Sequence, residues 1–154
     1  MIKKKIMFDC NIFDEVVLDD DVLKLLINTL DRYEYYIIPI QVEELHNIPD
    51  DKKTKREKLI GLISKLQMKE LYISPAIYGT FKYGQSKYGG ERSVYDKVLF
   101  CTRSNIKDAL IASSAIRESC VVITNDGSFY KKMANNNYSV MNFNEFIEDV
   151  KSNL

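Results

Sequence analysis

Five short apolar runs, separated by stretches of helical periodicity, constrain the fold of this chain more than any other feature. The runs are Lys5 to Asp9 (KIMFD), Tyr35 to Ile40 (YYIIPI), Leu71 to Ser74 (LYIS), Cys120 to Thr124 (CVVIT) and Tyr138 to Phe143 (YSVMNF). They do not alternate cleanly between apolar and polar residues, as a strand with one wet face would. Such runs suit strands buried on both faces, and strands alternating with helices suit a parallel sheet covered by helices on each side. Pro39 suits a strand end better than a strand middle, because proline cannot donate to a ladder.

Between the runs, Asp20 and Asp21 offer an N-cap and an acidic first turn to a helix carrying Val22, Leu23, Leu25, Leu26 and Leu30. Val42, Leu45 and Ile48 begin a second helix. A third spans Lys52 to Met68, with Leu59, Leu62, Ile63 and Leu66 on one face and a basic end from Lys52 to Lys58. The spacing predicts further helices over 104–118, rich in small residues, over 128–135, and after Asn144 as cap. The 154 residues, 45% hydrophobic and 29% charged, suit one domain over 1–154.

No run approaches the roughly 18 to 20 apolar residues of a membrane span, and Met1-Ile2-Lys3-Lys4-Lys5 lacks the apolar stretch of a secretory signal. The expectation is a cytoplasmic protein without a membrane partner. Cys10, Cys101 and Cys120 are odd in number and show no CxxC spacing, so they read as free thiols.

A formal net charge of zero conceals sorted charges. Residues 1–50 carry 5 basic and 11 acidic side chains, residues 51–107 carry 13 and 5, and residues 108–154 carry 4 and 6. One basic surface is enough for a polyanion and one acidic pocket is enough for divalent metal, so both partners remain compatible with neutrality.

In a parallel sheet, the first run ends on Asp9 and the fourth is followed by Asp126 at the same edge, where ligands of such sheets collect. Glu43 and Glu44 follow the second run, and Asp108 lies early in the small-residue helix, again at that end. Carboxylates brought together repel and lose solvent, so they call for a cation; hard oxygen donors favour Mg2+ or Mn2+. Each acid also has a purely structural explanation. Asp9 and Asp126 suit turns, Asp108 suits position N3 of a helix capped by Asn105, and either Glu suits a solvated helix face.

Four segments together resemble the ordered motifs of PIN domains, most closely those of VapC-type ribonuclease toxins. They are Ile6 to Asn11 (IMFDCN), Val42 to Leu45 (VEEL), Lys107 to Ala112 (KDALIA) and Ile123 to Phe129 (ITNDGSF). The resemblance implies a three-layer α/β/α fold with a five-stranded parallel sheet of order 3-2-1-4-5. It implies a metal pocket and catalytic set of Asp9, Glu44, Asp108 and Asp126, with Asn11 and Thr124 as auxiliary polar groups. Glu44 is preferred to Glu43 because the family's acid directly precedes a Leu. Two departures stand out: Ser128 occupies a position that often carries a further acid, which weakens a second metal site, and the stretch between Glu44 and Asp108 exceeds that of compact toxins.

The function so implied is a metal-dependent endoribonuclease acting on single-stranded RNA, as the toxin of a toxin–antitoxin pair, with homodimerisation left open. A bound metal would lower the pKa of a water for in-line attack on a phosphodiester. The alternative is a catalytically inactive PIN-like scaffold for RNA binding or assembly. A phosphotransferase with Asp9 as nucleophile fits poorly, since Asn11 stands where the second aspartate of such enzymes belongs. His46 reads as a helix-end histidine. In 76–103, Tyr78, Tyr83 and Tyr88 each precede a glycine, and Lys82, Lys87, Arg92, Lys97 and Arg103 supply candidate phosphate contacts beside rings able to stack on bases. Those tyrosines equally suit packing or docking.

Overall fold

The computed structural model describes residues 2–71 and 106–154. Its five strands are β1 (Lys4–Phe8), β2 (Tyr33–Ile37), β3 (Lys69–Glu70), β4 (Val121–Ile123) and β5 (Val140–Met141). All pair in parallel in the order β3-β2-β1-β4-β5, as the resemblance implies. The order places β1 at the centre, flanked by β2 and β4.

Strand periodicity of two explains why every central run is apolar throughout. In β1, Ile6 and Phe8 enter one core with Tyr33, Tyr35 and Ile37 of β2, while Met7 enters a second core with Tyr36. The first core is closed by helices α1 (Cys10–Leu18), α2 (Asp20–Asn28), α3 (Pro39–His46), α4 (Lys53–Lys65) and α7 (Phe143–Ser152). The second is closed by α5 (Ile106–Arg117) and α6 (Gly127–Asn135). On α5, Ala109, Ala112 and Ala115 are fully buried, which lets this helix lie close on the sheet. Phe8 anchors the first core, with its ring 5.9 Å from Phe13, 5.4 Å from Tyr35 and 5.7 Å from Phe146. Pairs of this geometry add about 0.5–1.5 kcal/mol each beyond the area they bury.

Several element boundaries differ from the sequence expectation. A helix, α1, immediately follows β1; its apolar residues Ile12, Phe13 and Val16 are buried, and Asp9 caps it. Asp19 caps α2, accepting from the amides of Asp21 and Val22, while Asp20 and Asp21 form the acidic first turn. The second strand begins and ends earlier than the apolar run, because Pro39 starts α3 instead of ending β2. Proline suits a first helical position, where its missing N–H leaves no bond unmade. The third strand is Lys69–Glu70, extended by the Leu71 amide donating to Ile37 O, with 72–74 outside the described residues. The last helix is capped by Asn142, not Asn144: Asn142 Oδ1 accepts from Glu145 N and Glu145 Oε2 accepts from Asn142 N, a reciprocal box.

The basic end of α4 is largely paired. Lys55 lies 3.3 Å from Asp14, Arg56 bonds Asp50 and the Ile48 carbonyl, and Lys53 faces Glu57 at 3.9 Å. This is a solvated helix face laced by ion pairs. Cys10 and Cys120 are free thiols, as expected. Among the described residues, no helix is long and apolar enough to cross a membrane.

Candidate active site

Parallel pairing sends the chain out of β1, β2 and β4 at one edge, and each exit starts a helix. Asp9 leaves β1 and caps α1: its Oδ1 accepts from Cys10 N at 2.7 Å and its Oδ2 from the Thr124 hydroxyl at 2.7 Å. Asp126 leaves β4 and caps α6, with Oδ1 accepting from Ser128 N and Phe129 N at 2.9 and 3.2 Å. Thr124, fully buried, joins the two, because the same hydroxyl accepts from Asp126 N at 3.1 Å. The auxiliary role expected of Thr124 therefore has a concrete geometry: one hydroxyl orients one acid and fixes the backbone of another. Asn11 is exposed on the first turn of α1.

Asp108 lies in the first turn of α5, buried, and its capping partner Asn105 falls outside the described residues. Burial pushes its pKa up to about 6, with the charges of Asp9 and Asp126 adding to the rise and Lys107 and Lys132 opposing it. Asp9 is also raised by burial, which outweighs its hydrogen bonds from Thr124 and Cys10. Asp9 and Asp108 are thus both buried acids beside like charge, while Asp126 stands exposed at the same edge.

Glu44 has a different environment. Burial disfavours its charge, but Lys107 Nζ donates to both of its oxygens at 2.9 Å and Cys10 Sγ donates to Oε2 at 3.2 Å, so its pKa falls. The ammonium of Lys107 is held protonated by the same contacts against its own burial. Burial pushes the Cys10 thiol up to about 12, so it stays a neutral donor. Glu43, the neighbour not preferred in the sequence, is exposed on the same helix.

Two residues that sequence reasoning did not single out shape this edge. Lys107 is one. The other is Gln41, fully buried, whose Nε2 donates to Phe8 O at 2.7 Å and whose Oε1 accepts from Ile38 N at 3.1 Å. It clasps the end of β1 to the start of α3, one turn before Glu44. A glutamine three residues after the N-cap Ile38 and two after Pro39 is the reach-back half of a capping box, a signal the sequence did carry. His46, at the end of α3, sits with Nδ1 2.8 Å from Val42 O, the helix-end placement expected of it. Lys82, Lys87, Arg92, Lys97 and Arg103, with the tyrosine–glycine pattern, lie outside the described residues.

As the side chains lie, no three His, Cys, Asp or Glu among the described residues converge closely enough to hold a metal ion. The donor types alone are those a hard divalent cation prefers. Asp9, Asp108 and Asp126 offer hard carboxylate oxygens, and their mutual repulsion is what a divalent cation relieves.

No family model matches the sequence, and no curated protein matches it. Among solved structures, the chain is similar to the crystal structure of VapBC2 from Rickettsia felis bound to a DNA fragment from their promoter. The TM-score is 0.59 and the sequences are 20% identical, with 90% of this chain and 98% of that chain covered. The likeness is one of fold.

Proposed function

We propose that this chain is a metal-dependent endoribonuclease that cuts single-stranded RNA, and that it acts as the toxin of a toxin–antitoxin pair. What supports this reading is that Asp9, Asp108 and Asp126 stand at the same carboxyl edge, with Asp108 driven up to about 6 by burial and by the charges of the other two. Acids that only cap helices gain nothing from a neighbouring carboxylate, whereas a cation site draws on several. The fold likeness to VapBC2, a complex found on promoter DNA, supports a toxin-like assignment and a protein antitoxin as partner.

In this mechanism Asp9, Asp108 and Asp126 would hold Mg2+ or Mn2+. The bound ion supplies positive charge that acidifies water and offsets charge developing on the scissile phosphate. Thr124 keeps the Asp9 carboxylate aimed by its hydroxyl hydrogen bond and holds the Asp126 turn by accepting its amide. Gln41 fixes α3 against β1, and Lys107, hydrogen-bonded to Glu44, adds an ammonium at the edge where a phosphate would approach. Lys82, Lys87, Arg92, Lys97 and Arg103 are proposed to receive the RNA backbone, with the neighbouring tyrosines stacking on unpaired bases.

The inactive-scaffold reading draws on the Glu44–Lys107 pair, which neutralises one of the four acids. The two readings part in one assay: single-stranded RNA with Mg2+ or Mn2+, using wild type, Asp9→Asn and Asp126→Asn. Cleavage by wild type and its loss in both variants is the expected result. Equal cleavage by all three would remove the assigned site, and RNA binding without cleavage by wild type would establish the scaffold.

A further inference from the structure

We propose that Lys107 is a phosphate anchor held in place by Glu44, and that an RNA phosphodiester replaces the Glu44 carboxylate on its ammonium when the strand binds. The proposal rests on the RNA-directed reading above and names a contact for that substrate among the described residues. It requires no metal ion.

The helix to which Lys107 belongs gains nothing from its charge. Lys107 is the second residue of α5, a helix of 12 residues. A helix N-terminus carries partial positive charge, which favours anions and opposes a cation by about 0.3–1 kcal/mol. The side chain therefore serves something outside its own helix. Its Nζ reaches from α5 to α3 and donates to both Glu44 oxygens at 2.9 Å. Asp9, Cys10 and Asp108 also feel this charge, which places the ammonium at the carboxyl edge of the sheet.

The pair is also easy to open. The Lys107 and Glu44 side chains are 33% and 49% exposed, so solvent and a polyanion can reach both. An ion pair this accessible is worth about 0–1 kcal/mol, because water already competes for each partner. Glu44 is not stranded when Lys107 turns to a phosphate: half of it meets water, and Oε2 keeps the Cys10 thiol at 3.2 Å. Lysine suits such an exchange, since its ammonium is a point charge with three rotatable donors and needs no fixed fork geometry. The backbones behind it stay in place. Gln41 ties α3 to Phe8 O, and the buried residues Ala109 to Ala112 seat α5 immediately after Lys107. A clasp whose only task was to join α3 to α5 would gain from being closed to solvent, and this one is open.

The test is binding of a fluorescent single-stranded RNA in chelator, followed by anisotropy across a salt series. Lys107→Met should bind about fivefold more weakly than wild type, with a slope of log affinity against log salt smaller by about 0.7, the share of one single-strand phosphate contact. Lys107→Arg should stay within about twofold, since it keeps the charge. Glu44→Gln should bind about threefold more tightly, because the competitor for Lys107 is gone. Glu43→Gln removes the same charge from an exposed neighbour and should change affinity less than about twofold. Combined with Lys107→Met, Glu44→Gln should bring no gain, the coupling expected of two groups that act through one contact. Unchanged affinity in Lys107→Met, equal gains in Glu44→Gln and Glu43→Gln, or a Glu44→Gln gain that survives without Lys107 would each overturn the anchor while leaving RNA recognition intact. The two glutamine variants decide the question even if Lys107→Met fails to fold. No RNA binding by wild type would overturn the RNA-directed function, and the anchor with it.

Discussion

Thr124 donates its hydroxyl hydrogen to Asp9 Oδ2 at 2.7 Å while taking the amide hydrogen of Asp126 at 3.1 Å, so a single buried oxygen couples the exits of β1 and β4. The coupling explains how two acids 117 positions apart keep a fixed relation. Thr124→Val retains the shape and removes both bonds. A hydrogen bond to a charged, buried acceptor is worth about 1.5–3 kcal/mol. The variant should lose about that much in urea unfolding and cut RNA at least tenfold more slowly, with Thr124→Ser recovering most of both.

Gln41→Leu should be more damaging to the fold than its helical position suggests. It strands two buried backbone groups, Phe8 O and Ile38 N, each costing roughly 1–3 kcal/mol when unsatisfied. A loss of about 2–5 kcal/mol in chemical denaturation is expected, and Gln41→Glu should recover only the bond from Ile38. A loss below 1 kcal/mol would show that the clasp does not matter.

Asp108→Asn should stabilise the metal-free protein at neutral pH. The native carboxylate is buried beside Asp9 and Asp126, and the amide removes a charge that burial and two like charges oppose. A rise of several degrees in the thermal midpoint is expected in the presence of chelator, shrinking when Mn2+ is added to both proteins, since the wild type alone gains fully from the ion. A lower midpoint for the variant in chelator would mean that capping, not repulsion, dominates at this position.

Acid should weaken the contact that Asp149 makes with Lys4 and Tyr33. Burial opposes its charge, but Lys4 Nζ and the Tyr33 hydroxyl donate to Oδ2 at 2.9 and 2.8 Å and lower its pKa below the ordinary 3.8. A carboxyl with a depressed folded value contributes stability that is complete above its unfolded value and lost as pH falls through the folded one. Wild type should therefore exceed Asp149→Asn by roughly 1 kcal/mol at pH 6, given partial exposure, and the gap should close below pH ~4. Stability curves of the two proteins against pH provide the measurement.

Much of the fold was legible because it depends on local pattern. The continuous apolar runs announced buried strands, and the alternation with helices announced a parallel sheet, which the β3-β2-β1-β4-β5 order bears out. Boundaries were less legible where side chains compete for two roles. Pro39 reads equally as a strand end or a helix start, and only the seating of Leu45 and Gln41 against β1 decides for the helix. Helix α1 lay hidden because its apolar residues follow so closely on those of β1 that one run merges into the next.

The sequence by itself determined that Asp9 and Asp126 would stand at one edge, since parallel strands share the direction of their carboxyl ends and each acid lies within three residues of a strand end. It also determined two apolar cores, since a strand without polar residues must be covered on both sides. Only the tertiary structure decided what each acid faces. Thr124 bridges two of them, burial and like charge single out Asp108, and Lys107 claims Glu44, because these relations join residues from separate helices and strands across distances no local pattern encodes.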